Sequence, residues 1–424
     1  MNYTQNAKIE QVTENTLVVG VDVGSEWHYS RAFDYRGIEL TKKIFKFSSN
    51  IDGFNLFDEW IENLKTRNNK TDVLIGCEPT GHYWYTLEKY VKERGMRFVF
   101  VNPFAVKQLK ELDDNSPKKT DFKDPKTIAK LVVDGRYSFP YVPEGIYRDL
   151  REVVSSRERI MKEHCSASNR IQRWLKIYFP EYLKVYKNFD SESGLSVLEE
   201  VQLPKDIIAL GAEGINKIWR TKKLRAVGMK RALTLVEAAH NSVGVEGGNG
   251  ARTELKLLIE DYRTKQNQLE KVTQSMAELT LKVPHAGKLL AIKGIGIVTV
   301  AGFLAEVGDI GRFESPKQIQ KLAGLELTEN SSGKKKGQTS ISKRGRKRLR
   351  KLLFQVVLPL IGRNQEFGAI YDYYHTRIQN PLKGRQAMIA ISCKLIRIFF
   401  AVLKKGVDYD AQKMLKDIQR REAA

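Results

Sequence analysis

Four carboxylates have residue types and surroundings that could do chemistry. Asp22 lies in VVGVDVGS, Glu78 closes DVLIGCEPTG, and Asp121 and Asp124 stand three residues apart in KKTDFKDPKTIAKL. Short Val-rich runs predict that the first two end buried strands. The three-residue spacing puts the other two on one face of a predicted helix. Hard oxygen donors on separate elements can converge on Mg²⁺, the ion that handles phosphodiester oxygens, and Mn²⁺ fits nearly as well. Taken singly, each has a plainer role: a turn former at a strand end, or a helix cap at Asp121 or at Asp124 before Pro125. Together they favour a metal, because a carboxylate buried among Val and Gly costs roughly several kcal/mol without a cation or donor beside it.

The chain around them is basic, with 72 Lys+Arg against 50 Asp+Glu and a formal charge of +22 over 424 residues. Such a surplus predicts a polyanionic partner. It is concentrated at Lys334, Lys335, Lys336, Lys343, Arg344, Arg346, Lys347, Arg348, Arg350 and Lys351, with no acidic residue in that run. A solvated helix face is the alternative, but ten unbalanced charges repel one another until phosphates neutralise them. Ser331, Ser332 and Gly333 stand immediately upstream; by spacing alone they are a loop, with no histidine nearby to serve as a base. Gly294 and Gly296 in IKGIGIVTVAGFLAEVGDI resemble the turn of a helix-hairpin-helix, which offers backbone N–H groups to phosphate, or else form a simple sharp turn.

Elements to hold these residues are legible along the chain. LVVGVDVG, DVLIGCEP and RFVFVNP are predicted strands, and two further strand-like segments follow the first around Arg36-Gly37. IDGFNLFDEWIENLKTR, GHYWYTLEKYVKERG and PFAVKQLKEL are predicted helices, giving an α/β domain over residues 1–145. From Tyr147 to Tyr178, and again over 251–280, apolar positions step by three and four; two such helices could pair as an antiparallel coiled coil. That region, 146–285, carries a helical insertion at about 180–250 ending in GVEGGNG, a flexible connection by composition. Residues 286–424 form a mainly α C-terminal domain. Three scattered cysteines make neither a disulfide framework nor a zinc pattern. With no apolar signal core and no apolar run near the roughly 20 residues of a span, the expectation is no membrane and a cytoplasmic, nucleoid-associated prokaryotic protein.

The order GVDVGS, GCEPTGHYW, NPFAVKQ, KKTDFKD, then IKGIGIVTVAGFLAEVGDIGRF, LAGLELTENSSGKKKG and ISKRGRKRLRKLL resembles the DEDD insertion-sequence transposases, the RNA-guided bridge recombinases of the IS110 type. The resemblance implies a RuvC-like, RNase H-type first domain with Asp22, Glu78, Asp121 and Asp124 as metal ligands. It also implies Ser332, the residue before Gly333, as nucleophile. The chemistry would be attack on a DNA phosphodiester and rejoining of an exchanged strand, guided by a noncoding bridge RNA paired with donor and target DNA. A homodimer or tetramer is implied, one subunit's serine completing another's acidic site. Leu327 stands where relatives often carry proline, and the insertion is longer than in compact relatives.

Two rivals remain. A metal-dependent nuclease of the Holliday-junction type would use water and need no serine. A noncatalytic nucleic-acid-binding protein would use the carboxylates structurally. A third reading, GVDVGS as the phosphate turn of an actin-fold ATPase, leaves the +22 without a role.

Overall fold

The computed structural model describes residues 4–113, 124–328 and 339–419, and the chain divides into two compact units, 1–142 and 143–424. The first is a mixed α/β sheet domain and the second is almost wholly helical.

A six-stranded sheet organises the first unit. After a short helix α1 (Gln5–Ile9), β1 (Thr16–Val23) runs beside β2 (Trp27–Phe33), and β3 (Phe45–Ser48) follows; α2 (Ile51–Arg67) leads to β4 (Asp72–Cys77). Helix α3 (Trp84–Glu93), β5 (Arg97–Val101), α4 (Pro103–Asp113), α5 (Asp124–Val133) and β6 (Tyr137–Ser138) complete it. The order across the sheet is β3-β2-β1-β4-β5-β6, with β1, β4 and β5 parallel and the other pairings antiparallel. Alternation along β1 sorts its side chains between two cores. Leu17, Val19 and Val21 pack with Phe54, Phe57 and Ile61 of α2 and with Leu87 and Val91 of α3. Val18 faces the other way, onto Ile128, Ala129 and Val132 of α5. The predicted face of α2 is buried as expected at Phe54, Phe57, Ile61 and Leu64.

Glycine decides how close α5 comes. A methyl group on Gly20 would overlap the Pro125 carbonyl oxygen and meet the Ala129 nitrogen at 2.9 Å, and one on Gly76 of β4 would overlap Val132. The helix therefore lies directly on the backbones of β1 and β4, a distance that any side chain at these two positions would forbid.

In the second unit, α6 (Gly145–Tyr178) and α11 (Asn249–Lys282) are each 34 residues long. They run antiparallel, because Arg157 reaches Thr273, Glu163 pairs with Lys265, and Trp174 donates to the Ala251 carbonyl. Between them come α7 (Tyr182–Val185), α8 (Glu192–Glu200), α9 (Pro204–Thr221) and α10 (Met229–His240). These close a core of their own around Trp174, Tyr182, Trp219 and Tyr262. At the opposite ends of α6 and α11 a second core gathers α12 (Ile297–Val307), α13 (Pro316–Leu322), the paired strands β7 (Leu327–Thr328) and β8 (Ser340–Ile341), α14 (Lys347–Arg363), α15 (Gln365–Thr376), α16 (Gly384–Lys405) and α17 (Ala411–Gln419). The aromatic segment YDYYHT closes α15, with Arg377 as the residue that ends the helix.

Two sequence expectations change here. The element before the Gly294 turn is a short 3-10 helix, Ala286–Ala291, so only the second arm of the hairpin is α-helical. Gly294 itself has φ +98°, and Asn364 donates to the neighbouring Lys293 carbonyl at 3.1 Å. Helix α16, against the expectation of no apolar run near span length, is long and apolar enough to cross a membrane. Ile391, Leu395 and Phe399 are nevertheless fully buried in the second core, so its apolar character fills the protein interior.

Because α5 touches the β1 backbone, Gly20→Ala is expected to destabilise the chain by about 1–3 kcal/mol through overpacking. Urea unfolding would check this; an unchanged midpoint would mean that α5 does not sit on Gly20.

Candidate active site

Parallel pairing of β1 with β4 sets Val21 opposite Cys77. The next position on each strand carries a carboxylate, Asp22 and Glu78, so the two sit side by side where the paired strands end. By alternation Asp22 continues the face of Val18 and Gly20, the face that α5 covers. Helix α5 begins at Asp124, one residue before the Pro125 carbonyl that overlies Gly20. One glycine contact thereby brings the start of α5 to the strand end that bears Asp22. Both Asp22 and Glu78 are half-buried.

Electrostatics agree with that proximity. Burial pushes the Cys77 thiol well above its usual range, and the charges of Glu78, Asp22 and Glu88 push it further. Fully buried and held protonated, Cys77 is no nucleophile. At Asp124 the carboxylate is 17% exposed and forms an ion pair with Lys110 of α4. Its buried Oδ1 accepts no hydrogen bond of ordinary geometry, so the Lys110 ammonium is what compensates that charge.

Asp121 lies outside the described residues. Among the described residues no three His, Cys, Asp or Glu side chains gather as a metal-binding group. The donors at this edge are nevertheless all hard oxygens, the chemistry that suits Mg²⁺ or Mn²⁺.

His28 secures the turn behind Asp22. It is fully buried in β2, its ring centroid 5.1 Å from that of Phe47 and 5.9 Å from that of Phe54. Its Nδ1 accepts from the Gly24 N–H at 3.3 Å, tying the chain that leaves β1 back onto β2. Sequence reasoning missed both His28 and Lys110. Neither spacing nor composition marks them, since their partners come from other elements.

Ser331, Ser332, Lys334, Lys335 and Lys336 also lie outside the described residues. The strands on either side of them are β7 and β8, paired at Leu327–Ile341 and Thr328–Ser340. Downstream the cations divide into three groups. Arg346 donates to the Glu306 carbonyl at 2.6 Å and Arg350 to the Ala323 carbonyl at 2.9 Å, so both brace the fold. Arg348 reaches Ser155 and Glu158 on α6. Lys343, Arg344, Lys347 and Lys351 are exposed. Four of these cations, Lys347, Arg348, Arg350 and Lys351, crowd the first turns of α14, where the helix dipole disfavours positive charge. An anion such as phosphate would relieve both the dipole and the mutual repulsion.

Burial pushes His28 down to about 4. Its folded value lies below the unfolded value of about 6.5, so the unfolded chain binds more protons between them. Stability is therefore full above pH 6.5 and is expected to fall by roughly 3 kcal/mol as pH drops toward 4. His28→Leu should flatten that window in pH-dependent urea unfolding; an unchanged slope would remove His28 as its cause.

Comparison with known proteins gives one direction. Residues 19–180 match a family model described as a transposase, of the DEDD IS110 type, and residues 286–372 match one described as the transposase IS116/IS110/IS902 family. The insertion element IS116 44.8 kDa protein of Streptomyces clavuligerus is 23% identical, over 91% of this chain and 94% of its own length. The transposase for insertion sequence element IS1111A of Coxiella burnetii is 24% identical over 75% of each chain. The pilin gene-inverting protein of Moraxella bovis is 32% identical over 34% of this chain and 44% of its own.

Proposed function

We propose, from the premise that this chain is a transposase of the IS110/IS116 family, that it cuts and rejoins DNA by attack of a serine hydroxyl at a divalent-metal carboxylate site. The observation that carries this reading is the strand edge at which Asp22 and Glu78 stand in register, with the start of α5 drawn toward it by Gly20. The strand order β3-β2-β1-β4-β5, with β1, β4 and β5 parallel, supports an RNase H-type, RuvC-like assignment for the first unit.

Ser332 is the proposed nucleophile. Its Oγ attacks phosphorus, the Oγ–P bond forms as the P–O3′ bond breaks, the hydroxyl proton passes to solvent, and the departing 3′-oxygen takes up one proton in return. One strand is left as a phosphoserine ester and the other ends in a free 3′-hydroxyl. Attack by the 3′-hydroxyl of an exchanged strand reverses the step, so the phosphodiester bond energy is kept and no nucleotide triphosphate is consumed. Bound Mg²⁺ or Mn²⁺ would neutralise the non-bridging oxygens and ease loss of the 3′-oxygen. Asp22, Glu78, Asp121 and Asp124 would hold the ion, and the exposed cations at and before α14 would hold the backbone on either side of the scissile phosphate. A bridge RNA would choose donor and target by base pairing, leaving the protein to read backbone shape. In an oligomer the serine segment of one protomer would serve the carboxylates of another.

Lys110 sets the terms on which metal binds. Its ammonium compensates Asp124 in the metal-free site, so an arriving ion must displace it. Lys110→Met should lower the metal-free melting temperature and tighten Mn²⁺ binding on the order of tenfold, a gain of about 1.4 kcal/mol. Melting curves with graded Mn²⁺ test this, and a weaker Mn²⁺ response in the variant would reject the competition.

Covalent capture tests the mechanism as a whole. With Mg²⁺, donor and target DNA and the RNA transcribed from the flanking element, a denaturation-resistant protein–DNA adduct is expected. Ser332→Ala should abolish it, and Asp22→Asn should slow its formation by at least about 10²-fold. Cleavage without an adduct would establish water as the nucleophile instead. Full DNA binding with no cleavage would leave a binding protein.

A further inference from the structure

The insertion between α6 and α11 carries a second cationic surface, separate in sequence from the run at 334–351. Residues 214–236 contain Lys217, Arg220, Lys222, Lys223, Arg225, Lys230 and Arg231, and no Asp or Glu. All seven are exposed. They occupy the end of α9, the turn that follows it and the start of α10.

Charge in this region is segregated. Three acids of the insertion lie on its seam with α11, where Arg263 pairs with Glu192 and Glu199, and Arg252 pairs with Asp206. Only Lys222 of the seven reaches that seam, through Glu199. No carboxylate lies within salt-bridge distance of Lys217, Lys223, Arg225 or Lys230 among the described residues. Glu192, Glu199 and Asp206 are spent on the inner face, and the acids nearest the outer stretch, Glu213 and Glu237, flank it without a salt bridge to Lys217, Lys223, Arg225 or Lys230 among the described residues.

The turn is also built to keep its shape. Trp219 is fully buried and donates to the Ser193 carbonyl at 2.9 Å. Arg220 spans the turn, donating to the Leu224 carbonyl at 3.2 Å and the Val227 carbonyl at 3.0 Å. Lys223 adopts φ +56°, a left-handed conformation that costs a residue with a side chain about 1 kcal/mol. Arg231 lies over the Tyr186 ring at 4.8 Å. Two arginines and a tryptophan thus hold a rigid platform from which Lys217, Lys223, Arg225 and Lys230 project.

What this platform lacks identifies its ligand. Single-stranded nucleic acid is held by exposed aromatic rings on which bases stack. All four aromatic residues between 180 and 250, Tyr182, Tyr186, Phe189 and Trp219, are buried. Cations without stacking rings suit the regular phosphate rows of a duplex.

We propose that the α9–α10 face of the insertion binds the backbone of duplex DNA outside the reacting segment, anchoring the substrate without reading its sequence. The proposal rests on the DNA-acting reading given above, but its residues are not those of the proposed chemistry, so the two can fail separately.

The test compares the full-length protein with a variant carrying Lys217→Ser, Lys223→Ser, Arg225→Ser and Lys230→Ser. Binding of a blunt 30-base-pair duplex of arbitrary sequence and of a hairpin RNA is followed by fluorescence anisotropy across a salt series. Each phosphate that the variant no longer neutralises lowers the slope of log K against log salt by about 0.9. The variant is therefore expected to give up about 2–4 of slope and on the order of tenfold or more in duplex affinity at moderate salt. Single substitutions Lys223→Ser and Lys230→Ser should each remove about 0.9 or less, which keeps the test sound if the fourfold variant unfolds. Serine-adduct formation at saturating DNA, read in parallel, reports on the chemistry alone. Unchanged duplex binding and salt slope would overturn the proposal. So would a loss confined to the hairpin RNA, which would assign the face to RNA.

Discussion

The rest of the first unit depends on a steric constraint: α5 lies on the bare backbone of β1 and β4. Gly20 and Gly76 are where it touches: a methyl group on Gly20 would run into the α5 backbone, and one on Gly76 would run into the Val132 side chain. Close approach fixes where α5 starts, and its start is Asp124. Register fixes the other half, because parallel strands paired at Val21 and Cys77 must present Asp22 and Glu78 together. Two carboxylates are thus set side by side, and the helix that begins with Asp124 is laid against the same strand, by contacts that carry no charge. Lys110 and His28 then act on that frame, one balancing Asp124 and the other holding the turn after Asp22.

Much of this frame is legible in the sequence, and the reason is periodicity. LVVGVDVG and DVLIGCEP read as buried strands because each faces a core on both sides. The apolar spacing of α2 and the two long helices survives unchanged at Phe57, Ile61, Trp174 and Tyr262, all buried. In α11 the fully buried stripe facing the insertion runs through Leu255, Ile259 and Tyr262, with Leu258 partly buried at its edge. The aromatic segment after α14 carries no clear helical signal of its own; Asn364 caps it by accepting from the Glu366 and Phe367 N–H groups. A cap formed by one asparagine directly after a helix leaves little pattern to read.

The candidate site is legible in kind but not in its partners. Acidic residues at strand ends stand out only as a set, since each alone would serve as a turn former or cap. Lys110 cannot be found that way. It is one lysine among many, distinguished only because α4 sets it beside Asp124. The same holds for the cationic run, whose ten charges are equivalent until the fold tells them apart. Arg346 and Arg350 are spent on the carbonyls of Glu306 and Ala323, whereas Lys343, Arg344, Lys347 and Lys351 remain at the surface. Pooling all ten as phosphate ligands would count braces among them.

That division of labour recurs in the insertion and suggests how a chain of net charge +22 stays folded. In both places arginine is spent on backbone carbonyls, of its own turn at Arg220 and of neighbouring elements at Arg346 and Arg350, and mostly lysine is left facing outward: Lys217, Lys223 and Lys230 in the one, Lys343, Lys347 and Lys351 in the other. The chemistry of the two side chains accounts for it. A planar guanidinium can satisfy two carbonyls at once, whereas a flexible ammonium loses less by remaining hydrated. Bracing the fold and carrying charge at the surface are thereby assigned to different cations in the same short segments.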